Sequence, residues 1–345
     1  MGKGKGKTLG KILLGIVAAM LVLALIAALL AWGYVHRMLG KIQRIPEESM
    51  LSPSEAEMLE NTLPAREPGY TGPVYRPEDI AWPSEPPETI AGAHIINILL
   101  IGQDRRPGEP RQRSDAMILC TLNLDRQTVT LTSFLRDMYV KIPGYADNKI
   151  NAAYQIGGMA LLDQTLEVNF GIHVDGNVEV DFSQFQRIVD LMGGVDIELT
   201  AAEARYINSS IGTALNPGMN RLDGKAALMY SRIRYIGTDF GRTERQRTVL
   251  TALFEKCRNA DISVLLPLLE EICTIVTTDM TNGEILDFVM DTVTVMDGLT
   301  VRSQRVPIDG SYYHGDINGR VSCIFVDFEA NREMLLRTLM PEREN

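Results

Sequence analysis

The N-terminal part of the chain is dominated by one long apolar stretch. No residue from Ile12 to Val35 is charged, and most of these 24 positions are Leu, Ala, Ile or Val. A helix needs roughly 20 such residues to cross the hydrocarbon core of a membrane. A cleaved signal peptide is the alternative, but its apolar core is usually only about 7–15 residues long. The pattern therefore predicts a single transmembrane helix over residues 12–35.

From about residue 92 onwards, strand-like and helix-like patterns alternate. Residues 95–101 form a nearly all-apolar run, which is typical of a strand covered on both faces. Residues 117–124 and 128–134 predict a β-hairpin. Further strands are predicted at 178–181, 195–199, 300–306 and 321–326, and helices at 151–169, 182–192, 242–258, 262–276, 282–293 and 328–339. The alternation predicts one α/β sandwich domain with a mixed central sheet and helices on both faces.

A proline-rich segment separates these two parts. Nine of the sixteen prolines fall between Pro46 and Pro87, which predicts an extended, semi-rigid stalk over residues 36–91. Four lysines precede the apolar stretch and three basic residues follow it closely, and basic residues favour the cytoplasmic side. The chain is thus predicted to be a single-pass protein of the cell membrane. It would have a basic cytoplasmic tail (1–11), the membrane helix, the stalk and an extracytoplasmic domain (92–345).

The basic residues of the predicted domain are almost all arginine. From Gly92 onwards there are 34 Asp and Glu residues against 25 basic ones, of which 21 are Arg. Arginine suits planar, two-pronged contacts with phosphate groups. The densest group runs into the start of a predicted helix and comprises Arg232, Arg234, Arg242, Arg245 and Arg247.

The spacing of this group favours an anion site. Arg232 and Arg234 would face one side if their segment is extended, and Arg242 and Gln246 would share one helix face. Helix N-termini also favour anions. The alternative is a solvated surface on which the arginines pair with Asp239 and Glu244. The excess of positive charge in an otherwise acidic domain favours a phosphate site.

Aspartates recur where the predicted strands begin or end. Asp104 follows the first strand, Asp115 precedes the second, and Asp137 follows the third, next to Arg136. Ligands gather at such strand ends in open α/β sheets. Two aspartates with phosphate oxygens and water make a usual Mg²⁺ arrangement. With the arginines, they predict metal-assisted phosphoryl chemistry that uses Mg²⁺, or Mn²⁺ in its place.

Other chemistries lack their motifs in this chain. There is no G-x-S-x-G, no H-E-x-x-H and no G-x-G-x-x-G after a strand, and the four histidines are isolated in the sequence. Cys120, Cys257, Cys273 and Cys323 lack zinc-ligand spacing and are predicted to be buried apolar residues, with a disulfide left open. An acidic domain also disfavours nucleic acid as a partner.

Several motifs, taken in order, resemble those of the LytR-CpsA-Psr family of bacterial cell-wall enzymes. They lie within residues 94–255 and are Asn97-Ile-Leu-Leu-Ile-Gly-Gln-Asp-Arg105, Arg113-Ser-Asp115, Ser133-Phe-Leu-Arg-Asp137, Lys149-Ile-Asn-Ala-Ala-Tyr154, Gly193-Gly-Val195, Arg232-Ile-Arg234, Asp239-Phe-Gly-Arg242 and Arg245-Gln246. Two positions depart from the usual pattern. Ala116 stands where Thr commonly follows Ser-Asp, and Leu135 stands where Pro commonly precedes Arg-Asp. Neither departure removes a charged group.

The resemblance implies a phosphotransferase of cell-wall assembly. Such an enzyme moves a glycopolymer, with one phosphate, from a polyprenyl-pyrophosphate carrier to peptidoglycan. By motif, Asp104 and Asp115 would hold the metal. The pyrophosphate would be bound by Arg113, Arg136, Arg232, Arg234, Arg242 and Gln246. Catalysis would fall to Arg242, Asp239 and Arg136, with Asp239 orienting an arginine.

The implied partners are the lipid-linked glycopolymer (teichoic acid, capsular polysaccharide or another glycan), peptidoglycan and membrane lipid, without nucleic acid. Two alternatives remain open. One is a polyprenyl-pyrophosphate phosphatase that uses water as the acceptor, and the other is a non-catalytic envelope receptor or regulator. The sequence identifies no general base, and Asp137 is a candidate by position alone.

Overall fold

A computed structural model describes residues 32–44, 50–61, 72–105, 108–234, 239–319 and 321–340. The main strands are β1 (Gln43–Arg44), β2 (Val74–Tyr75), β3 (Ile95–Gln103), β4 (Ser114–Asn123), β5 (Thr128–Phe134), β6 (Tyr139–Val140), β7 (Asn148–Lys149), β8 (Gly176–Asp181), β9 (Val195–Leu199), β10 (Gly218–Leu222), β11 (Thr277–Thr278), β12 (Thr300–Val306), β13 (Tyr312–Ile317) and β14 (Val321–Val326). The helices are α1 (residues 32–39), α2 (Pro53–Asn61), α3 (Ile150–Phe170), α4 (Phe182–Leu191), α5 (Ala201–Ile211), α6 (Gly224–Ser231), α7 (Asp239–Arg258), α8 (Ile262–Ile272), α9 (Asn282–Val295) and α10 (Phe328–Leu339).

A seven-stranded mixed sheet forms the centre of the domain, in the order β1-β11-β8-β3-β4-β5-β12. β3, β4 and β5 are antiparallel neighbours, whereas β8 pairs in parallel with β3 and β12 pairs in parallel with β5. The predicted mixed sheet and the hairpin of β4 and β5 are therefore confirmed.

Helices cover both faces of this sheet because successive side chains of its inner strands are apolar on both sides. On β4, Met117 and Leu119 join the core formed with α3 and α10. Ile118 and Leu122 point to the opposite face and pack with residues of α7 and α9, including Leu250. The arrangement of α/β layers matches the predicted one.

A smaller helical unit at one side of the sheet was only partly predicted. The antiparallel strands β9 and β10 pack with α4, α5, α6 and α7 around a second core that contains Ile197, Ile207 and Val249. The sequence predicted α4 and β9 but not α5 or α6. These two helices are only 11 and 8 residues long, and a capping box at Thr200 together with the capping aspartate Asp223 fixes where they begin.

Residues 1–31, which include most of the predicted membrane helix, lie outside the described residues. The described remainder of that prediction, 32–35, belongs to α1. Among the residues that the structure describes, no helix is long and apolar enough to cross a bilayer.

Several described parts of residues 36–91 differ from the extended stalk that was predicted there. β1 pairs with β11, β2 pairs with β13, and Ile90 is fully buried in the main core. Leu51 is also tied to the domain, since its amide donates to the Ile156 carbonyl (3.0 Å). The physical reason is that apolar side chains are scattered among the prolines, and burying them outweighs the proline preference for an exposed chain. All four cysteines are free thiols. Cys273 and Cys323 are buried as predicted, whereas Cys120 and Cys257 are only half-buried.

Candidate phosphate-binding site

Asp115 is the extra residue of a β-bulge between β3 and β4. Gly102 pairs with Ala116 and Gln103 pairs with Ser114, which leaves Asp115 between them without a partner across the strand. Bulges bend a strand and redirect a side chain, and they are common beside active sites. Here the bulge places Asp115 at the wall of a cavity that three of the five predicted arginines also line.

This arginine cavity has a volume of about 420 Å³ and brings together the C-terminal end of α6 with the start of α7. Its lining comprises Asp115, Ala116, Phe182, Tyr206, Met229, Ser231, Arg232, Arg234, Arg242 and Gln246. Arg242 and Gln246 share one face of α7, as their spacing predicts. Arg232 and Arg234 do not lie on an extended strand, which corrects that part of the prediction. α6 ends at Ser231, and Arg232 is its C-terminal cap in helical conformation.

The arginines of the cluster fall into two groups with different surroundings. Arg242 lines the cavity although only 3% of its surface is exposed. Arg245, in contrast, donates to Glu203 (2.7 Å) on α5. Arg247 donates to Ser133 (2.8 Å) and Ser303 on the sheet, and burial lowers its pKa to about 10. Arg245 and Arg247 therefore hold α7 in place, while Arg232, Arg234 and Arg242 face the site.

A chain of alternating charges extends from the bulge. Arg136 contacts Asp115 through Nη1, and its Nε lies 3.5 Å from Asp137. Asp137 in turn accepts a hydrogen bond from Lys149 Nζ (2.7 Å). Lys149 begins one of the family-like motifs, but its sequence position alone indicated no role. Its signal was a lysine in a domain in which 21 of the 25 basic residues are arginine.

The environment of Asp137 argues against the role of general base for which its sequence position made it a candidate. Burial by itself would raise the pKa of Asp137, but Lys149, Arg136 and Arg242 together outweigh burial and hold that pKa below its usual value of 3.8. A carboxylate of low pKa accepts a proton poorly at neutral pH. Asp137 is better placed to orient Arg136 and Lys149.

We expect a specific pH dependence from this lowered pKa. When folding lowers the pKa of a carboxylate, its charged form stabilises the folded state at every pH above the pKa of the unfolded state. This stabilisation is lost as the pH falls through the pKa of the folded state. The difference in free energy of unfolding between the native chain and Asp137→Asn should therefore be constant from about pH 5 to 8 and shrink only below about pH 3.8. Urea unfolding in detergent measures it, and a difference that already shrinks between pH 5 and 7 would contradict the assignment.

Three predicted residues lie at or beyond the rim of the arginine cavity. Asp104 is exposed, and its Oδ2 lies 3.7 Å from Arg232 Nη2. Arg113 donates through Nε to Gln155 on α3 (3.2 Å), so it is held on the side of the bulge away from α7. The backbone of Asp239 begins α7, while its side chain lies outside what the structure describes.

Glu179 is a buried carboxylate beside this site that the sequence analysis missed. Only 2% of its surface is exposed, and it accepts hydrogen bonds from Tyr154 and Gln103. Arg105, which follows Asp104 in the chain, has its Nη2 3.6 Å from Oε1 of Glu179. The sequence feature that could have indicated its role is the position of a charged residue between two valines in a short strand. Its position indicates that Glu179 orients Arg105 at the end of β3.

The two candidate metal ligands fit a cation that is completed by other oxygens. Among the described residues there is no group of three or more His, Cys, Asp or Glu side chains that could hold a metal ion. Asp104 and Asp115 nevertheless lie at adjacent strand ends, each beside an arginine that can bind phosphate. Mg²⁺ usually takes one or two carboxylates together with substrate phosphates and water, which suits this donor set.

An apolar cavity adjoins the arginine cavity. It has a volume of about 100 Å³ and lies between the sheet and helices α4, α6 and α7. Its apolar lining includes Leu100, Ile118, Phe185, Leu228 and Leu250. The two cavities share Ala116, Phe182, Ser231 and Gln246. The buried Oε1 of Gln246 makes no hydrogen bond with the described residues. Such a site suits a ligand with an anionic head and an apolar tail.

Comparisons with known proteins identify the family of this chain. The sequence profile of the LytR_cpsA_psr family matches residues 83–327. The chain therefore belongs to the LytR-CpsA-Psr family. This result confirms the resemblance identified from the motifs.

The chain is similar to several named members of the family. It is 31% identical to the regulatory protein MsrR of Staphylococcus aureus over 251 residues, which cover 70% of this chain and 73% of MsrR. It is 32% identical to the polyisoprenyl-teichoic acid–peptidoglycan teichoic acid transferase TagU of Oceanobacillus iheyensis, over 69% of this chain and 73% of TagU. The structure of TagT (YwtF) from Bacillus subtilis with bound octaprenyl pyrophosphate superposes with a TM-score of 0.55 at 25% identity, covering 72% and 91% of the two chains.

Proposed function

We propose that this LytR-CpsA-Psr protein is a phosphotransferase that moves a glycopolymer from a polyprenyl-pyrophosphate carrier to peptidoglycan. The observation that carries the proposal is the continuity of the arginine cavity with the apolar cavity through their shared residues. A polyprenyl pyrophosphate has the matching shape of a charged head on an apolar chain. The names of TagU and TagT, and the lipid bound to TagT, support the same substrate class.

The chemistry follows from the positions of the charged side chains. A hydroxyl of the acceptor attacks the phosphorus next to the glycopolymer and releases its proton to solvent, the bond to the bridging oxygen breaks, and polyprenyl phosphate leaves. Arg232, Arg234 and Arg242 would bind the phosphate oxygens and stabilise the charge that develops on them. Phosphoryl transfer needs alignment and charge neutralisation more than covalent catalysis. A bound Mg²⁺ at Asp104 and Asp115 would supply further neutralisation of that charge.

We further propose that the chain is anchored in the cell membrane through residues 12–35, with the domain outside the cytoplasm. The support is the length of the uncharged apolar stretch and the lysines before it. The proposed donor is itself a membrane lipid, so an anchor restricts the search for it to two dimensions and raises its effective concentration.

Turnover by the full chain in lipid nanodiscs tests the proposal. The donor is a polyprenyl-pyrophosphate-linked glycopolymer and the acceptor is a soluble peptidoglycan fragment, with Mg²⁺ present. We expect a phosphodiester-linked product and polyprenyl phosphate in equal amounts. Release of the polymer to water alone would favour the phosphatase, and binding without turnover would favour the receptor. Arg221→Ala is a matched control, because Arg221 forms an exposed pair with Asp196 away from the cavities.

Filling the apolar cavity should alter the choice of lipid chain length. Leu250 lines this cavity, and Leu250→Trp adds volume where the polyprenyl chain would lie. We expect kcat/KM to fall about tenfold or more for a long-chain donor and to change little for a donor with a short prenyl chain. Steady-state kinetics with both donors measure the ratio. Met219→Trp at an exposed site is the control, and equal losses for both donors would contradict the assignment of the cavity.

A further inference from the structure

The segment that follows the predicted membrane helix packs onto the domain immediately. On α1 and just after it, Met38, Leu39 and Ile42 are buried against Leu286 of α9 and Cys273, which follows α8. The next residues form β1, which joins the edge of the central sheet by pairing with β11. A flexible linker would not bury its side chains in this way.

Polar contacts fix the same segment. Tyr34 donates a hydrogen bond to Glu270 (2.9 Å), and Lys41 forms an ion pair with the same carboxylate (2.6 Å). Arg44 donates through Nε to the Met280 carbonyl (3.0 Å). These contacts involve α8 and the residues before α9, so both helices lie next to the chain that leaves the apolar stretch.

The chain length between membrane and domain is short. The apolar stretch ends at Val35, and its last two residues already contact the domain. Tyr34 bonds Glu270, and Val35 packs with the cluster that contains Met38. If residues 12–35 cross the membrane, the surface formed by α8 and α9 lies at the bilayer rather than at the end of a stalk.

The same surface carries apolar side chains that the described residues leave uncovered. On α9, α1 covers Ile285 and Leu286. One and two turns further along that face, Val289, Met290 and Val293 are 44%, 61% and 56% exposed. α8 is also apolar, and its Val264 and Leu269 are exposed. Val289, Met290 and Val293 are neighbours at helical spacing, and contiguous exposed apolar patches mark interaction sites.

We propose that the outer faces of α8 and α9, together with α1, rest in the headgroup region of the membrane and fix the orientation of the domain. The occupant of this surface is lipid, because the apolar stretch of the chain leads directly into it. The inner face of α9 packs through Phe288 and Val295 in the same core as Leu250, which lines the apolar cavity. The cavity is therefore presented close to the bilayer, and the lipid-linked donor enters it with little displacement from the membrane.

Photocross-linking of the full chain in lipid nanodiscs tests this placement without measuring activity. p-Benzoylphenylalanine is introduced at Met290 or Val264, and at Met219 as an equally exposed control on β10 (69% exposed). We expect lipid adducts from positions 290 and 264, detected by mass spectrometry, and only background at 219. Adducts between two copies of the chain would identify a dimer surface instead, and adducts within one chain would identify another segment as the cover. Either result, or equal lipid labelling at all three positions, overturns the proposal.

A second measurement rests on the proposed function and tests whether this membrane contact helps the enzyme to bind its lipid donor. Met290→Asp places a charge at the proposed lipid-facing surface. Met290 is not one of the residues that line the arginine cavity. We expect the apparent KM for a bilayer-embedded donor to rise about tenfold, with no change for a short-chain donor added in detergent-free solution. An unchanged KM for the embedded donor overturns the proposal. If no variant turns over at all, the proposed function fails while the cross-linking result still decides the membrane contact.

Discussion

Replacing Asp115 by Asn is expected to lower kcat of the transferase by about 10²–10³-fold and to leave the fold intact. Asp115 is held at the cavity wall by the β-bulge and pairs with Arg136. Asn keeps the size of the side chain but removes its charge. The variant therefore loses both the partner of Arg136 and one of the two proposed ligands of Mg²⁺, and these groups act where charge develops in the transition state.

The measurement is single-turnover transfer in nanodiscs at several Mg²⁺ concentrations, with circular dichroism to verify folding. Asp196→Asn is the matched control, since Asp196 also pairs with an arginine but lies on the exposed side of β9. We expect the control to retain native activity and the Asp115 variant to lose most of its response to Mg²⁺. Native turnover in the Asp115 variant would exclude that residue from the site.

Much of the domain could be predicted because its strands are apolar on alternate or on both faces. β3 and β4 show the continuous apolar runs that two covered faces require, whereas β5 alternates apolar residues with Thr or Ser. The amphipathic pattern of α7 predicted its position to within a few residues. α5 and α6 were missed because their start depends on capping residues rather than on a long apolar face. The short length of α5 and α6 thus limited their prediction more than the burial of their side chains did.

The site could be predicted in its residue types but not in its local geometry. Arg242 and Gln246 were paired correctly because helix spacing alone brings them together. Arg232 required knowledge of where α6 ends, which an amphipathic pattern does not define. The bulge at Asp115 depends on how two strands align, and that alignment is set by tertiary packing.

Disrupting the pair between Glu203 and Arg245 should have the largest effect on stability. Both side chains are about nine-tenths buried, with 9% and 10% exposed, and their atoms lie 2.7 Å apart. Glu203→Gln leaves the guanidinium of Arg245 buried without an anionic partner, which typically costs about 3–5 kcal/mol in free energy of unfolding. Denaturant unfolding in detergent measures the loss, and the exposed Asp196→Gln serves as a control with an expected change below about 1 kcal/mol.

The loss of stability should also reach the phosphate site. Arg245 Nη1 donates to the Ile233 carbonyl (3.3 Å), between Arg232 and Arg234 in the chain. A displaced Arg245 therefore releases the segment that holds both arginines at the cavity. The double variant Glu203→Leu/Arg245→Met removes both charges, so we expect it to recover most of the stability while it still binds the lipid pyrophosphate less tightly. Recovery of both stability and binding would show that this pair supports the fold alone and does not position the arginines.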